Sequence, residues 1–388
     1  MAGSLENVRV VEFPAIGPVP FCGMLLADMG ADILRIDREA AADLGLPLAP
    51  RYNISARGRR SILADIRRED VRDSLLKLIE KADVLIEGFR PGVMERLGYG
   101  PDVCLARNPR LVYARVTGWG QTGSQARAAG HDINYVALSG ALHAIGPGDG
   151  APAIPLNLLG DYAGGGAYAA FGIVCALRHA AATGAGQVVD TAMCDGVTSL
   201  MSMCFGRLAA DEWNDLRESN SLDGGLPWYS VYETADHRHV AIGALEQRFY
   251  DELLRRMGLD ADSLPPRDDA HRRDELRAAL AARFRQKSRD EWCSLLDGCD
   301  ACFSPVLTLE ETLRHPHHAT RETFVEIDGV AQPAPAPRLS LTPGQIARPA
   351  PRPGEGGVEA LRAWGLSDAE INMMEMNGIH FEENQEAV

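Results

Sequence analysis

The sequence predicts an α/β protein with a large Rossmann-like domain built on a parallel sheet and a smaller α+β domain after it. Three observations carry this. At 388 residues the chain is too long for one compact core. The first half alternates near-continuous apolar runs with segments of helical period. Near residue 205 this pattern gives way to polar, glycine-bearing sequence and resumes in a different order.

In chain order, "VRVVEF" (8–13) reads as a buried strand and "PFCGMLLADMG" (20–30) as a helix closed by glycine. "ADILRID" (31–37) and "SILADI" (61–66) follow as strands. "EDVRDSLLKLIEKA" (69–82) carries apolar residues at helical spacing, and "DVLIEGF" (83–89) and "RLVYARVTG" (110–118) are further strands. Residues 160–186 read as one helix opened near Asp161 and closed at Gly184, with "QVVDTAM" (187–193) returning as a strand. Strands without polar alternation, separated by helices, imply a parallel sheet covered on both faces. Ligands of such sheets bind where strands end and helices begin. The loops singled out follow Arg35–Asp37, Ile66, Gly88–Arg90 and Thr117.

The expected large domain spans 1–205, with 331–388 returning to it, and 206–228 is a linker. The small domain covers 229–330: a hairpin turning at "TADHR", then helices near 247–257, 270–285 and 288–297. The proline-rich 331–357 segment is expected to run extended over another surface, and one helical pattern closes the chain.

A net charge of −15 argues against a nucleic-acid surface. Apolar residues at 46% and charged residues at 24% fit a globular chain rather than a disordered one. A local basic run, "ARGRRS" (56–61), suits either a small anion or a solvated loop. The amino terminus lacks a signal-peptide pattern, no apolar stretch reaches membrane-spanning length, and "ENQEAV" carries no targeting tripeptide. Eight scattered cysteines fit reduced thiols, so a cytoplasmic protein without membrane or nucleic-acid partners is expected. "CDAC" (299–302) and "HPHH" (315–318) fall short of a zinc site because a second CxxC is missing, so no metal is expected. The turn after the first strand has no GxGxxG, which speaks against a dinucleotide, and no GxSxG, HExxH or Walker loop occurs.

Two loops carry chemistry. "GHDINYVALSG" presents His131 beside Asp132, and "LLGDYAGGG" presents Asp161 before three glycines. Asp161 could be a plain helix N-cap. Alternatively, glycines 164–166 could admit a ligand, and free N–H groups there could hold an oxyanion. An imidazole and a carboxylate flanking such donors suit proton abstraction beside a carbonyl. Asp132, adjacent to His131 along the chain, points elsewhere and is expected to hold the loop by hydrogen-bonding backbone.

"GADILRIDR", "LIEGFRPGVMERLG", "ARVTGWGQTG", "GHDINYVALSGALHAIG" and "PLNLLGDYAGGG" together resemble the family III CoA-transferase superfamily over nearly the whole chain. Within it they resemble the branch that racemises 2-methylacyl-CoA thioesters. The resemblance implies an interlocked homodimer with long linkers, and coenzyme A as part of the substrate rather than a cofactor. It makes His131 and Asp161 two opposed bases, with Glu246 of "IGALEQRFY" supporting the histidine. The family's proline after that glutamate is Gln247 here, which questions the local geometry. Family CoA contacts fall on Arg38, on Ala64, Asp65, Ile66 and Arg67, and on Gly88, Phe89, Arg90 and Arg96. They fall also on Gly130, Asp132, Ile133, Asn134 and Tyr135, and on Gly160, Tyr162, Ala163, Gly164 and Gly165. The alternative within the family is a transferase that uses Asp161 as nucleophile. A third reading is a non-catalytic acyl-CoA sensor. Methionine-bearing "MSMCF" (201–205) and "NMMEM" (372–376) are candidates for an acyl-chain surface.

Overall fold

The computed structural model describes residues 3–38 and 48–382; the "ENQEAV" terminus lies outside them. It falls into two compact units, one of residues 1–139, 155–201 and 319–388, the other of 140–154 and 202–318.

The first unit is built on six parallel strands: β1 Arg9–Glu12, β2 Asp32–Asp37, β3 Arg59–Ala64, β4 Val84–Glu87, β5 Val112–Thr117 and β6 Gln187–Ala192. Their order is β3-β2-β1-β4-β5-β6, and Ile379–His380 pairs antiparallel with β3 at one edge. Because β1 pairs with both β2 and β4, the winding reverses there, and loops leaving these two strands diverge to open a crevice. The pleat sends alternate apolar residues to opposite faces. Val11, Leu34 and Ile36 enter one core while Val10, Ile33 and Ile86 enter the other. Helices α1 Pro18–Asp28, α2 Glu69–Ile79, α3 Val93–Leu97 and α4 Pro101–Arg107 connect the strands. Helix α5 Asp132–Leu138 follows β5.

A π-helix, Leu158–Ala167, runs directly into α6 Tyr168–Thr183, which Gly184 ends at φ +78°. The single helix expected here is therefore present, but it begins before Asp161, so that residue is inside the helix and is not its N-cap. Glycines 164–166 are buried. A Cβ on Gly166 would lie 2.8 Å from the Pro18 carbonyl oxygen of α1. One on Gly164 would lie 2.8 Å from the Val197 nitrogen of α7, Met193–Leu200. From the α7 side, a Cβ on Gly196 would fall 2.1 Å from the Gly164 carbonyl oxygen. The run therefore lets three helices meet backbone to backbone.

The basic run "ARGRRS" serves neither use expected of it. Arg57, Arg59 and Arg60 are buried, paired with Asp28 at 2.6 Å, Glu12 at 2.9 Å and Asp32 at 2.5 Å. The proline-rich segment does run extended along this unit. Arg57 donates to the Pro333 carbonyl oxygen, Gln345 N–H to Asp28 and Gly58 N–H to Arg348. The closing helical pattern divides into α8 Gly357–Ala363 and α9 Asp368–Met376. Gly365 at φ +82° breaks it, and Ser367 starts α9 with a capping box to Glu370.

The second unit holds a three-stranded antiparallel sheet, Tyr229–Glu233, His239–Gly243 and Phe303–Pro305. Helices Gln247–Met257, Arg273–Phe284 and Arg289–Leu296 bury an aromatic core with it. There Phe284 stacks on Tyr232, with ring centroids 5.1 Å apart, and meets Trp292 edge-on. Among the described residues no helix is long and apolar enough to cross a membrane. No group of three or more His, Cys, Asp or Glu among them is placed to hold a metal.

The glycine contacts predict opposite outcomes for two substitutions. Gly164→Ala overpacks a backbone contact and lowers stability by about 1–3 kcal/mol. Gly206→Ala, in helix Ser202–Ala209 with nothing within 4 Å of an added Cβ, is neutral or stabilising by up to about 1 kcal/mol. Denaturant midpoints of the two variants check this.

Candidate active site

A cleft of about 220 Å³ opens at the winding reversal of the parallel sheet. Its walls are Ile16–Val19 after β1, Gly88–Pro91 after β4, and the end of β5 with Gly118 and Trp119. Ala126, Ala128, Gly130, His131, Tyr135, Asp161 and Met193 close it.

The polar side chains arrive by short-range devices. His131 is the N-cap of α5, and the Asn134 side chain accepts its backbone N–H at 3.0 Å. His131 is exposed and lines the cleft. Tyr135, one turn on, donates its hydroxyl to the Gly130 carbonyl oxygen and meets Trp119 edge-on, with centroids 4.7 Å apart. Gly118 and Gly130 leave room for this ring: Cβ atoms there would fall 2.1 and 2.7 Å from it.

Asp161 is carried by the π-helix, whose wider turn bonds Tyr162 N–H to the Asn157 carbonyl oxygen. The Asn157 amide donates to Asp161 Oδ2 at 3.3 Å, and the Asp161 backbone N–H donates to Asp132 Oδ1 at 2.7 Å. The carboxyl sits against Gly17 at the start of α1, where an added Cβ would lie 2.8 Å from Asp161 Oδ2. Burial raises the Asp161 pKa above the ordinary carboxylate range, with the Asp132 charge adding to it. The Asn157 hydrogen bond and the His131 ring pull the other way. A partly buried carboxyl with raised proton affinity and an accessible imidazole on one cleft are the equipment of general acid–base chemistry.

The cleft gathers Gly88, Phe89, Arg90, Gly130, His131, Tyr135 and Asp161 from the predicted set. Arg38, Arg67, Arg90 and Arg96 are exposed at or beyond the carboxyl ends of β2, β3 and β4. Arg38, Arg90 and Arg96 make no ion pair with any described residue, whereas Arg67 is held by Asp65 at 2.8 Å. Ala64 and Ile66 are buried in a core, and Asp65 is occupied by Arg67. Ile133, Asn134, Tyr162 and Ala163 lie outside the cleft wall. Gly160, Gly164 and Gly165 are buried in packing contacts, so a role in touching a ligand does not follow from their place. Asp132 is buried as well; its carboxylate holds the Asp161 backbone instead of facing the cleft. Glu246 belongs to the second unit, exposed at the N-cap of helix Gln247–Met257. That helix starts at Gln247, with Glu246 as its N-cap.

Sequence reasoning missed the loop after β1, with Ile16, Gly17, Pro18 and Val19, and it missed Trp119 and Met193. The signal available for the loop was its position: in a doubly wound sheet the first strand always borders the reversal. The absence of a phosphate-binding glycine pattern drew attention away from it.

With the geometry in place, comparison with known proteins bears on its chemistry. The CoA-transferase family III description matches residues 5–356. Alpha-methylacyl-CoA racemase of Mus musculus is 44% identical over 370 residues, 95% of this chain and 95% of that protein. The Homo sapiens racemase is 41% identical over 380 residues, 97% of each. The succinyl-CoA–L-malate CoA-transferase beta subunit of Chloroflexus aurantiacus is 31% identical, covering 95% of this chain and 96% of that one. A solved CaiB/BaiF family protein from Brucella suis shares the fold, with a TM-score of 0.81 over 94% of this chain and all of that one, at 24% identity.

Gly17 has φ +65° and abuts Asp161. Gly17→Ala therefore costs about 1–2 kcal/mol of stability from backbone strain alone. A calorimetric scan of the variant against wild type checks this.

Proposed function

The chain belongs to CoA-transferase family III, and from that premise we propose that it is an isomerase that interconverts (2R)- and (2S)-2-methylacyl-CoA thioesters. The observation that carries this reading is that His131 and Asp161 line one cleft at the sheet's reversal point. The 44% and 41% identities to racemases support it.

In this mechanism one base removes the α-proton from one face of the thioester and the other returns a proton to the opposite face of the planar enolate. Two fixed bases avoid moving a single base around the substrate, and the bound geometry supplies the orientation. Asp161 accepts or delivers a proton at its carboxyl. Its raised proton affinity brings it closer to an imidazole's, which both directions of an isomerisation require. His131 does the same from its N-cap position. Glu246 is assigned to orient the His131 ring and favour its charged form. The exposed Arg38, Arg90 and Arg96 offer guanidinium groups to the phosphates of coenzyme A, which enters as part of the substrate; no further cofactor is assigned.

The active assembly in this reading is an interlocked homodimer, in which Glu246 comes from the partner subunit. The first unit exposes Leu138, Leu156, Leu158 and Phe171, the last 70% accessible, which is more apolar surface than a solitary unit gains from. We place the enzyme in the cytoplasm, acting on branched acyl chains of lipid metabolism. The transferase relatives favour one second reading, with Asp161 as the nucleophile that attacks the thioester carbonyl, forms a mixed anhydride with the acyl group and releases the coenzyme A thiolate.

Deuterium exchange separates the two. The racemase incorporates solvent deuterium at C2 of a 2-methylacyl-CoA with no acceptor acid present. His131→Ala and Asp161→Ala each lower this rate about 10²–10⁴-fold. Wild-type exchange rates in both variants, or turnover only with an added carboxylic acid, would sink the proposal. Because the Asp161 pKa is raised, the direction that uses it as base loses rate as pH falls through a value above the usual carboxylate range. A pH–rate profile measured from each enantiomer checks that limb.

A further inference from the structure

We propose that Arg115 is the positioning residue of the coenzyme A phosphate site. It ties Glu87, directly before the cleft loop Gly88–Pro91, to Glu95 beyond it, and so sets where Arg90 and Arg96 stand. The proposal rests on the acyl-CoA reading above and adds what fixes the geometry of the guanidinium groups assigned there to the phosphates.

The register of the sheet places Arg115 of β5 opposite Glu87 of β4. Arg115 Nε donates to Glu87 Oε1 at 2.9 Å. Its two terminal nitrogens donate to Glu95 Oε1 and Oε2, at 2.8 and 3.2 Å. The guanidinium lies over the Tyr113 ring, 5.9 Å from its centre. The other Glu87 oxygen accepts Phe89 N–H at 2.7 Å and so sets the first turn of the cleft loop. On the far side of that turn a Cβ on Gly88 would lie 3.0 Å from Val19 at the start of α1. Glu95 belongs to α3 and directly precedes Arg96. One arginine therefore grips both ends of the segment that carries Arg90 and leads to Arg96.

The burial of these groups is uneven in a telling way. Glu87 and Arg115 are buried, whereas the Glu95 side chain is 45% exposed. Arg90 and Arg96 are exposed, without an ion pair among the described residues. A buried ion pair seldom recovers its desolvation cost through stability alone, since apolar residues of like volume hold a fold as well. What the arginine fork adds is direction: its planar donors fix distance and angle to a carboxylate at each edge. Here the direction is imposed on a loop whose own cations are left for a ligand.

Glu95→Ala cuts one end of this clasp at a partly exposed position and leaves the Arg115–Glu87 pair intact. Arg115→Lys keeps the charge and loses the fork. In each variant the dissociation constant of free coenzyme A, read by titration calorimetry, rises about tenfold, as for a loop in place about a tenth of the time. KM for a 2-methylacyl-CoA in the deuterium-exchange assay rises with it, while kcat stays within about threefold. The 2-methylacyl thioester of N-acetylcysteamine, which lacks the phosphates, is exchanged at the same kcat/KM by variants and wild type. Unchanged coenzyme A affinity in either variant overturns the proposal. So does an equal loss on the truncated thioester, which is what a merely structural role predicts. Should Arg115→Lys not fold, Glu95→Ala decides alone; failure of both to fold assigns the network to stability and also overturns the proposal. Absence of exchange in the wild-type enzyme instead refutes the racemase reading, and the calorimetric titration still decides the role of Arg115.

Discussion

A close backbone contact in the first unit organises the site. Helix α7 and the Gly164–Gly166 run approach so nearly that a methyl group on Gly196 would lie 2.1 Å from a carbonyl oxygen. On its other flank the same run lies against α1. Two consequences follow. The π-helix is held in place from two sides, so Asp161 is carried by a rigid element and not by a loop. And α1 starts close enough that Gly17 touches the Asp161 carboxyl, placing that group at the point where the parallel sheet reverses.

Around that fixed carboxyl the electrostatics are built from burial and a like charge, opposed by one weak amide hydrogen bond and the His131 ring. Elsewhere in the unit the pattern is the reverse. Glu87, directly before the cleft loop Gly88–Pro91, receives Phe89 N–H at 2.7 Å and Arg115 at 2.9 Å, and Arg115 binds Glu95 as well. Burial still pushes the Glu87 carboxyl up to about 7, against the pull of those donors. That network anchors a wall; Asp161 and its neighbours leave a carboxyl short of partners. Glu87 is saturated with donors, and Asp161 is not.

Much of this was legible in the chain. Buried parallel strands announce themselves as apolar runs, and β1 to β6 lie within a residue or two of where those runs placed them. The motifs around His131 and Asp161 likewise pointed to the two side chains that the fold brings to one cleft. What misled were residues whose type is ambiguous without neighbours. Three arginines in four residues look solvated until Asp28, Glu12 and Asp32, distant in sequence, are seen to pair with them in the interior. Three glycines in a row do not tell from sequence that two neighbouring helices pack against them. Gly365 and Ser367 split an apparently continuous helix because one residue in the left-handed region ends a helix whatever its apolar period.

By itself, the sequence determined the family, the α/β class, the order of strands and helices along the chain, and the identity of the two candidate bases. These depend on local periodicity and on short motifs. Tertiary structure alone decided that β1 lies at the centre beside β4, that the loop after β1 forms a wall of the cleft, and that Asp132 grips Asp161 across 29 positions. The physical reason is the same throughout: hydrogen bonds, like charges and backbone contacts between distant segments exist only once the helices have packed, and no local pattern encodes which oxygen will face which N–H.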